Sequence, residues 1–99
     1  MTIKILQADI TTAYKFMPFK FAERNGFSLL DYSIVYSGET ESKTLDEIFS
    51  EFNHDYKKLN ENKMHSLSVS DIVICDDGIF YCDSFGWRKI VGKKTNKKI

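Results

Sequence analysis

Apolar and polar positions follow strand-like patterns at several places along the chain. Thr2–Leu6 and Leu29–Tyr36 alternate between apolar and polar residues, which predicts two strands. Ile72–Cys75 and Ile79–Cys82 are unbroken apolar runs on either side of Asp76-Asp77-Gly78. Two β-prone runs around an Asp-Gly pair predict a hairpin, since glycine accepts a positive φ without steric clash. Because neither run alternates, we expect this hairpin to be central and covered on both faces.

The segment Thr44–Tyr56 has the spacing of an amphipathic helix. Thr44 and Glu47 form a capping-box pattern at its start. Its apolar residues recur at helical spacing and predict a single buried stripe: Leu45, Ile48, Phe49, Phe52 and Tyr56. The polar segment Lys57–Lys63 is predicted to connect this helix to the hairpin.

Glycine and proline delimit the remaining elements. Pro18–Arg24 is predicted as a short helix that stops at Asn25-Gly26. Gly38 is expected to end the second strand, and Gly86 to permit a bend before a last strand at Trp87–Ile90. Together these elements predict an α+β fold: one antiparallel sheet of about four or five strands with the amphipathic helix packed across one face.

Aromatic side chains are concentrated in the irregular segment Ala13–Asn25. They are Tyr14, Phe16, Phe19 and Phe21. Core packing is the simpler interpretation. A stacking platform for nucleic-acid bases is the alternative, and it would need several exposed rings beside cations such as Lys15, Lys20 and Arg24.

Length and composition are those of an ordinary globular domain. The chain has 99 residues, of which 42% are hydrophobic and 28% charged, so we expect one domain with its own core. The formal net charge of zero argues against a general nucleic-acid coat protein. We find no export signal and no run long enough to span a membrane, and we therefore expect a cytoplasmic protein of a bacterial host cell.

Charge is unevenly distributed along the chain. The acidic residues of the middle third are Glu39, Glu41, Asp46, Glu47, Glu51 and Asp55. They predict either a solvated helix face or an acidic surface that binds a basic partner. The cations of the last twelve residues are Arg88, Lys89, Lys93, Lys94, Lys97 and Lys98. They predict either a solubilising tail over residues 93–99 or contacts to nucleic-acid phosphates.

The two cysteines are predicted to be free thiols that act as small apolar side chains. A two-residue Asp77-Gly78 loop would place Cys75 opposite Phe80, so that both thiols share a sheet face but lie diagonally. A three-residue loop would place them on opposite faces. Neither register brings their Cβ atoms within the roughly 4.5 Å that a disulfide requires.

The sequence contains no pattern typical of a catalytic, metal or cofactor site. There is no glycine-rich phosphate loop, no C-x-x-C and no H-E-x-x-H. His54 and His65 lack a regular spacing to carboxylates or thiols, and Asp71 and Asp83 are explained by turns at the ends of the hairpin. We therefore expect neither an enzyme nor a metal or cofactor.

Four blocks of sequence resemble the YodL-like domain. They are DYSIVYSGE (31–39), LDEIFSEFN (45–53), SLSVSDIV (66–73) and YCDSFGW (81–87), in the family's order and spacing. The resemblance is strongest from about Asp31 to Ile90 and looser before Leu30, and we expect the domain to occupy residues 1–92.

The resemblance implies a setting rather than an activity. Proteins with this domain occur in conjugative elements, plasmids and phages of Firmicutes, and the family has no agreed catalytic residues. Small proteins of such elements often act against host defence, so we expect an anti-CRISPR-like protein that binds a Cas9-type effector or its guide-RNA complex without catalysis. The alternative is a nucleic-acid-binding or regulatory module of the element. Oligomeric state is not indicated.

Overall fold

The computed structural model describes residues 1–90. Its strands are β1 (Thr2–Ala8), β2 (Tyr32–Glu39), β3 (Ile72–Cys75), β4 (Gly78–Cys82) and β5 (Trp87–Lys89). Its helices are α1 (Phe19–Arg24), α2 (Leu45–His54) and α3 (Tyr56–Glu61), with a 3-10 turn at Leu29–Asp31. The strands form one antiparallel sheet in the order β2-β1-β3-β4-β5. The predicted α+β class and strand number are confirmed.

The side of the sheet covered by α2 and α3 is called the front face. Its core consists of Ile3, Ile5, Ile48, Phe52, Leu59, Met64, Leu67 and Val73. Ile48 and Phe52 of α2 are fully buried, as the helical spacing predicts. The Phe52 ring meets the ring of Tyr36 edge-on at 4.9 Å between centroids.

The opposite side, called the back face, is covered by the aromatic segment that contains α1. Its core consists of Leu6, Tyr14, Phe19, Ala22, Ile72, Ile79, Tyr81 and Ile90. Phe19 packs edge-on against Tyr81 at 5.0 Å and against Phe27 at 5.4 Å. Tyr14 and Phe19 are therefore core residues, whereas Phe16 and Phe21 remain exposed. The β3–β4 hairpin is covered on both faces, as predicted.

The register of the hairpin differs from both predicted registers. Asp76 and Asp77 form the turn, and Gly78 already belongs to β4, opposite Cys75. Gly78 has φ 137°, a backbone conformation that residues other than glycine rarely adopt, so this position favours glycine. The two thiols share the front face but lie far apart along it, and both are free.

The second strand begins and ends later than predicted. The Ser28 hydroxyl accepts a hydrogen bond from the Leu30 backbone N–H at 3.1 Å, which holds Leu29–Asp31 in a 3-10 turn. Gly38 does not end β2, because it pairs with Ile3 and the strand runs on to Glu39. A bulge opposite Ile5 and Leu6 lets Val35 and Tyr36 both reach the front core.

The predicted long helix is two helices. Phe52 leaves helical geometry (φ −86°, ψ 15°), and Asp55 begins α3 by accepting a hydrogen bond from the Lys58 N–H at 3.0 Å. Consequently Tyr56 lies on α3 and is exposed, and Phe49 is partly exposed rather than buried. The segment Lys57–Lys63 is largely helical, which its single buried apolar residue, Leu59, did not indicate.

Truncation of Phe52 tests whether α2 is fixed by its buried ring. We expect Phe52→Ala to lower the free energy of unfolding by about 3–5 kcal/mol, since it leaves a cavity in the front core. Phe85→Ala removes the same ring from a position that is 98% exposed, and should change stability by less than about 0.5 kcal/mol. Urea unfolding of both variants measures this; equal effects would contradict the packing described.

Candidate functional site

The predicted acidic residues lie in different local environments. Glu39, Glu41 and Glu51 line a hollow of about 310 Å³ together with Thr40, Ser42 and Lys58. Glu51 forms an ion pair with Lys58 and accepts hydrogen bonds from the hydroxyls of Thr40 at 2.5 Å and Ser42 at 2.9 Å. Burial raises the pKa of Glu51, but these hydrogen bonds outweigh burial and the net pKa is lowered. Glu51 is thus engaged inside the protein.

Glu47 and Asp55 cap helices. The Thr44 hydroxyl accepts from the Glu47 N–H at 3.1 Å, as the capping box predicts. The Glu47 carboxylate accepts from the N–H of Lys43 at 2.6 Å, one residue earlier than that motif requires. Asp55 caps α3. Substitution of either carboxylate would therefore remove a helix cap, and a resulting loss of binding would not show that the carboxylate contacts a partner.

Asp46 is the predicted acid that borders an apolar groove. The groove has a volume of about 390 Å³ and runs between the first turn of α2 and the β3–β4 turn. Its apolar lining comes from Met1, Leu45, Cys75, Phe80 and Trp87, and its polar lining from Lys43, Thr44, Asp46 and Asp77. Both aspartates are exposed, and neither carboxylate has a hydrogen-bond or ion-pair partner within residues 1–90. Asp77 was predicted only as part of the hairpin turn, since no pattern near it in the sequence indicates a groove.

A second, smaller hollow lies on the other side of the same two residues. It has a volume of about 200 Å³ and is lined by Asp46, Phe49, Val69, Cys82, Asp83, Ser84, Gly86 and Trp87. Asp46 and Trp87 therefore line both hollows and separate them. We call this surface, with Phe49, Asp77 and Phe80, the Asp46–Trp87 groove.

The predicted basic residues do not converge within the described part of the chain. Arg88 and Lys89 are neighbours on β5 and point to opposite faces of the sheet. Arg88 stacks over Phe19 of the back face at 4.9 Å, whereas the Lys89 ammonium lies 6.0 Å from the ring centroid of Phe80. Lys93, Lys94, Lys97 and Lys98 lie outside the described residues.

A buried carboxylate at the start of β3 organises a polar cluster that the sequence did not predict. Asp71 is fully buried. Its Oδ2 accepts hydrogen bonds from the Ser68 N–H at 2.8 Å and from Nε2 of Gln7 at 3.0 Å. Its Oδ1 has no hydrogen-bond partner among the described residues. Gln7 Nε2 also donates to the carbonyl oxygen of His65 at 2.9 Å, so one amide joins β1 to two points of the segment before β3.

The ring of His65 is held in one tautomer. Its Nδ1 lies 2.7 Å from the carbonyl oxygen of Ser66, which can only accept, so Nδ1 carries the hydrogen. Nε2 then accepts from the Lys15 ammonium at 3.0 Å, and Lys15 also donates to the carbonyl oxygen of Ala8 at 2.6 Å. The ring of Phe16 packs on His65 at 5.4 Å and covers the outer side of the cluster.

Burial favours the neutral form of each titratable group in this cluster and shifts its pKa accordingly. It raises the pKa of Asp71 to about 7, against the opposing hydrogen bonds from Ser68 and Gln7. It lowers the pKa of His65, with a further contribution from the Lys15 ammonium. His65 is therefore neutral at pH 7, and its Nδ1, 4.0 Å from Asp71 Oδ2, forms no ion pair there.

Gln7 and Asp71 of this cluster are buried, whereas His65 and Lys15 are half-buried and Phe16 is exposed. Burial also raises the pKa of the Cys82 thiol to about 12, so this cysteine is a poor nucleophile. Residues 1–90 contain no group of three or more His, Cys, Asp or Glu side chains placed to hold a metal ion. Among the helices of the same residues, none is both long and apolar enough to cross a membrane.

The raised pKa of Asp71 predicts how the free energy of unfolding depends on pH. Below about pH 4 the carboxyl is protonated in both the folded and the unfolded chain. Between pH 4 and pH 7 the unfolded chain loses this proton while the folded chain keeps it, so the stabilising contribution present at low pH is lost as pH rises. The free energy of unfolding of Asp71→Asn, measured relative to that of wild type, should therefore increase by a few kcal/mol as the pH is raised from 4 to 8.

Urea unfolding of both proteins across this pH range measures the difference. Groups distant from this cluster contribute equally in both proteins, so their contributions cancel in the comparison. A constant offset due to the altered hydrogen bonds is expected and does not affect the test. A difference that stays the same from pH 4 to pH 8 would show that Asp71 is ionised in the folded protein throughout.

Comparison with known proteins gives a family. The model of the YodL-like domain matches residues 1–92, which includes the first thirty residues, where the resemblance read from the sequence was loose. None of the curated proteins compared with this chain is significantly similar to it. The same holds for the solved structures. Since the matched region spans nearly the whole chain, this protein belongs to the YodL-like domain family.

Proposed function

We propose that this protein is a non-catalytic binding module that recognises a basic surface of a partner protein through the Asp46–Trp87 groove. The observation that supports the proposal most is the combination, in one groove, of apolar walls with two exposed carboxylates, Asp46 and Asp77, that have no partner within residues 1–90. Lys43 also lines this groove, so the net charge of its described lining is negative by one side chain. Aromatic side chains are enriched at protein interfaces, and exposed carboxylates beside them favour a partner of opposite charge.

The exposed apolar residues near the groove support the same surface. Phe85 is 98% exposed at the tip of the β4–β5 loop, and Phe49 is 39% exposed on the adjoining side of α2. Large apolar side chains that are clustered and solvent-facing are characteristic of sites that become buried on binding. The surface also differs from the acidic face proposed from the sequence, since Glu47, Glu51 and Asp55 have structural partners.

The partner that we propose is a Cas9-type effector of the bacterial host, bound in the cytoplasm so that the nuclease is inhibited. Two arguments support this choice. The resemblance of the sequence to a domain of mobile genetic elements suggests a role against host defence, and such effectors hold nucleic acid in positively charged channels. A small protein with carboxylates around an apolar groove suits attachment at the rim of such a channel.

Nucleic-acid binding through the lysine-rich end of the chain is the weaker proposal. Arg88 and Lys89 point to opposite faces of β5, so they do not extend a basic surface from residues 93–99. No observation within the described residues favours this function over the first.

Charge reversal in the groove tests the proposed function. We expect Asp46→Lys/Asp77→Lys to weaken binding to a purified type II-A Cas9–guide RNA complex by at least about tenfold, since like charges would then face each other. Biolayer interferometry with the immobilised protein measures the affinity, and a DNA cleavage assay measures inhibition. The fold should persist, because both carboxylates are exposed and neither has a partner in the described part of the chain.

The matched control is Glu23→Lys/Glu61→Lys. It changes the net charge equally at two exposed residues, one at the end of α1 and one at the end of α3. Its affinity should stay within about twofold of wild type. If both double variants lost affinity equally, the effect would be due to net charge and not to the groove. If the wild-type protein did not bind, Cas9 would be refuted as the partner.

A further inference from the structure

We infer that the smaller hollow of the Asp46–Trp87 groove receives the side chain of an arginine that the partner presents. This inference rests on the proposed function, because it assigns a chemical role to one part of the same groove. The hollow combines an indole, a phenyl ring and a carboxylate that has no partner among residues 1–90, in a space of about 200 Å³.

The walls of the hollow suit a planar cation on an aliphatic stem. Trp87 and Phe49 supply aromatic surface, and Val69 and Cys82 supply apolar surface for methylene groups. Trp is the best aromatic partner for a cation, and a guanidinium stacks on an aromatic face better than an ammonium does. An acidic ligand would be repelled here, because no cationic side chain lines this hollow within residues 1–90.

Asp46 supplies the charge that an arginine would meet. It lies in the first turn of α2, is exposed, and has no partner among the described residues. Asp83 also lines the hollow, but its Oδ1 is already engaged by the N–H groups of Phe19 at 3.1 Å and Ser84 at 2.8 Å. The preference for a cation should therefore depend on Asp46 above all.

The surroundings of the hollow indicate how the partner chain would approach. Gly86 has φ 78°, a backbone conformation that favours glycine. The preceding residue, Phe85, is exposed to solvent next to the residues that line the hollow. On the other side, the larger hollow offers Leu45 and Phe80 to an apolar neighbour of the arginine. The expected ligand is an extended segment in which an arginine is followed or preceded by apolar residues.

The fluorescence of Trp87 provides a direct test, since the chain contains one tryptophan. The probes are the peptide acetyl-Ala-Leu-Arg-Leu-Ala-amide and its citrulline counterpart, which has the same shape without the charge. We expect a saturable change of Trp87 emission with the arginine peptide, and a dissociation constant at least about tenfold higher with citrulline. In Asp46→Asn the preference should fall below about threefold.

The control variant is Glu23→Gln, which neutralises an exposed acid at the end of α1 and should retain the full preference. Equal binding of the two peptides, binding of neither, or a preference that survives Asp46→Asn would overturn the inference. The result also separates the two proposals. If neither peptide binds but Asp46→Lys/Asp77→Lys still weakens binding to the Cas9–guide RNA complex, only the arginine site is refuted. If the arginine peptide binds and Cas9 does not, the partner is refuted and the site stands.

Discussion

The buried carboxylate of Asp71 is the constraint on which the rest of the fold depends. Through Gln7 it joins β1 to the chain before β3, and through the Ser68 N–H it fixes the turn that starts this strand. The neighbouring residue, Ser70, is equally buried and adds three connections. Its hydroxyl accepts from the Phe16 N–H at 2.8 Å, its carbonyl oxygen from the Tyr32 hydroxyl at 2.7 Å, and its N–H donates to the carbonyl oxygen of Cys82. Both Phe16 (φ 68°) and Ser70 (φ 85°) adopt left-handed backbone conformations, which persist because so many contacts determine them.

This network locates the groove on a rigid support. Once the entry to β3 is fixed, the β3–β4 register follows, and Cys82 and Trp87 pair opposite each other at the far edge of the sheet. Packing of Ile48 and Phe52 then sets where α2 crosses the front face. The first turn of α2 ends up beside Trp87, with Asp46 between the two hollows. The outward-facing surface is thus built from elements whose positions are determined by buried contacts, an arrangement that limits the loss of conformational entropy on binding.

Local patterns in the sequence predicted the presence of helices and strands better than the residues at which they begin, end or break. The hairpin, the Thr44 cap and the stop after Arg24 depend on neighbouring residues and were predictable. The break at Phe52 and the start of α3 depend on packing of Leu59 against the front core, which no short pattern reveals. The acids near α2 were identified from their spacing, but their roles were not. Whether a carboxylate is free, like Asp46, or engaged, like Glu51, depends on residues brought close only by the fold. The turn at Asp71 was predicted and is confirmed by its hydrogen bond from the Ser68 N–H. Its burial and its contact with Gln7 were not predicted, since Gln7 is distant in sequence.

Hydrogen–deuterium exchange of the protein, free and bound to the Cas9–guide RNA complex, tests most directly whether the Asp46–Trp87 groove is the binding surface. The account predicts slower amide exchange on binding in the first turn of α2, in the β3–β4 turn and from Cys82 to Trp87, with little change in α1 and α3. Protection concentrated in α1 and the back face, with the first turn of α2 unchanged, would contradict it.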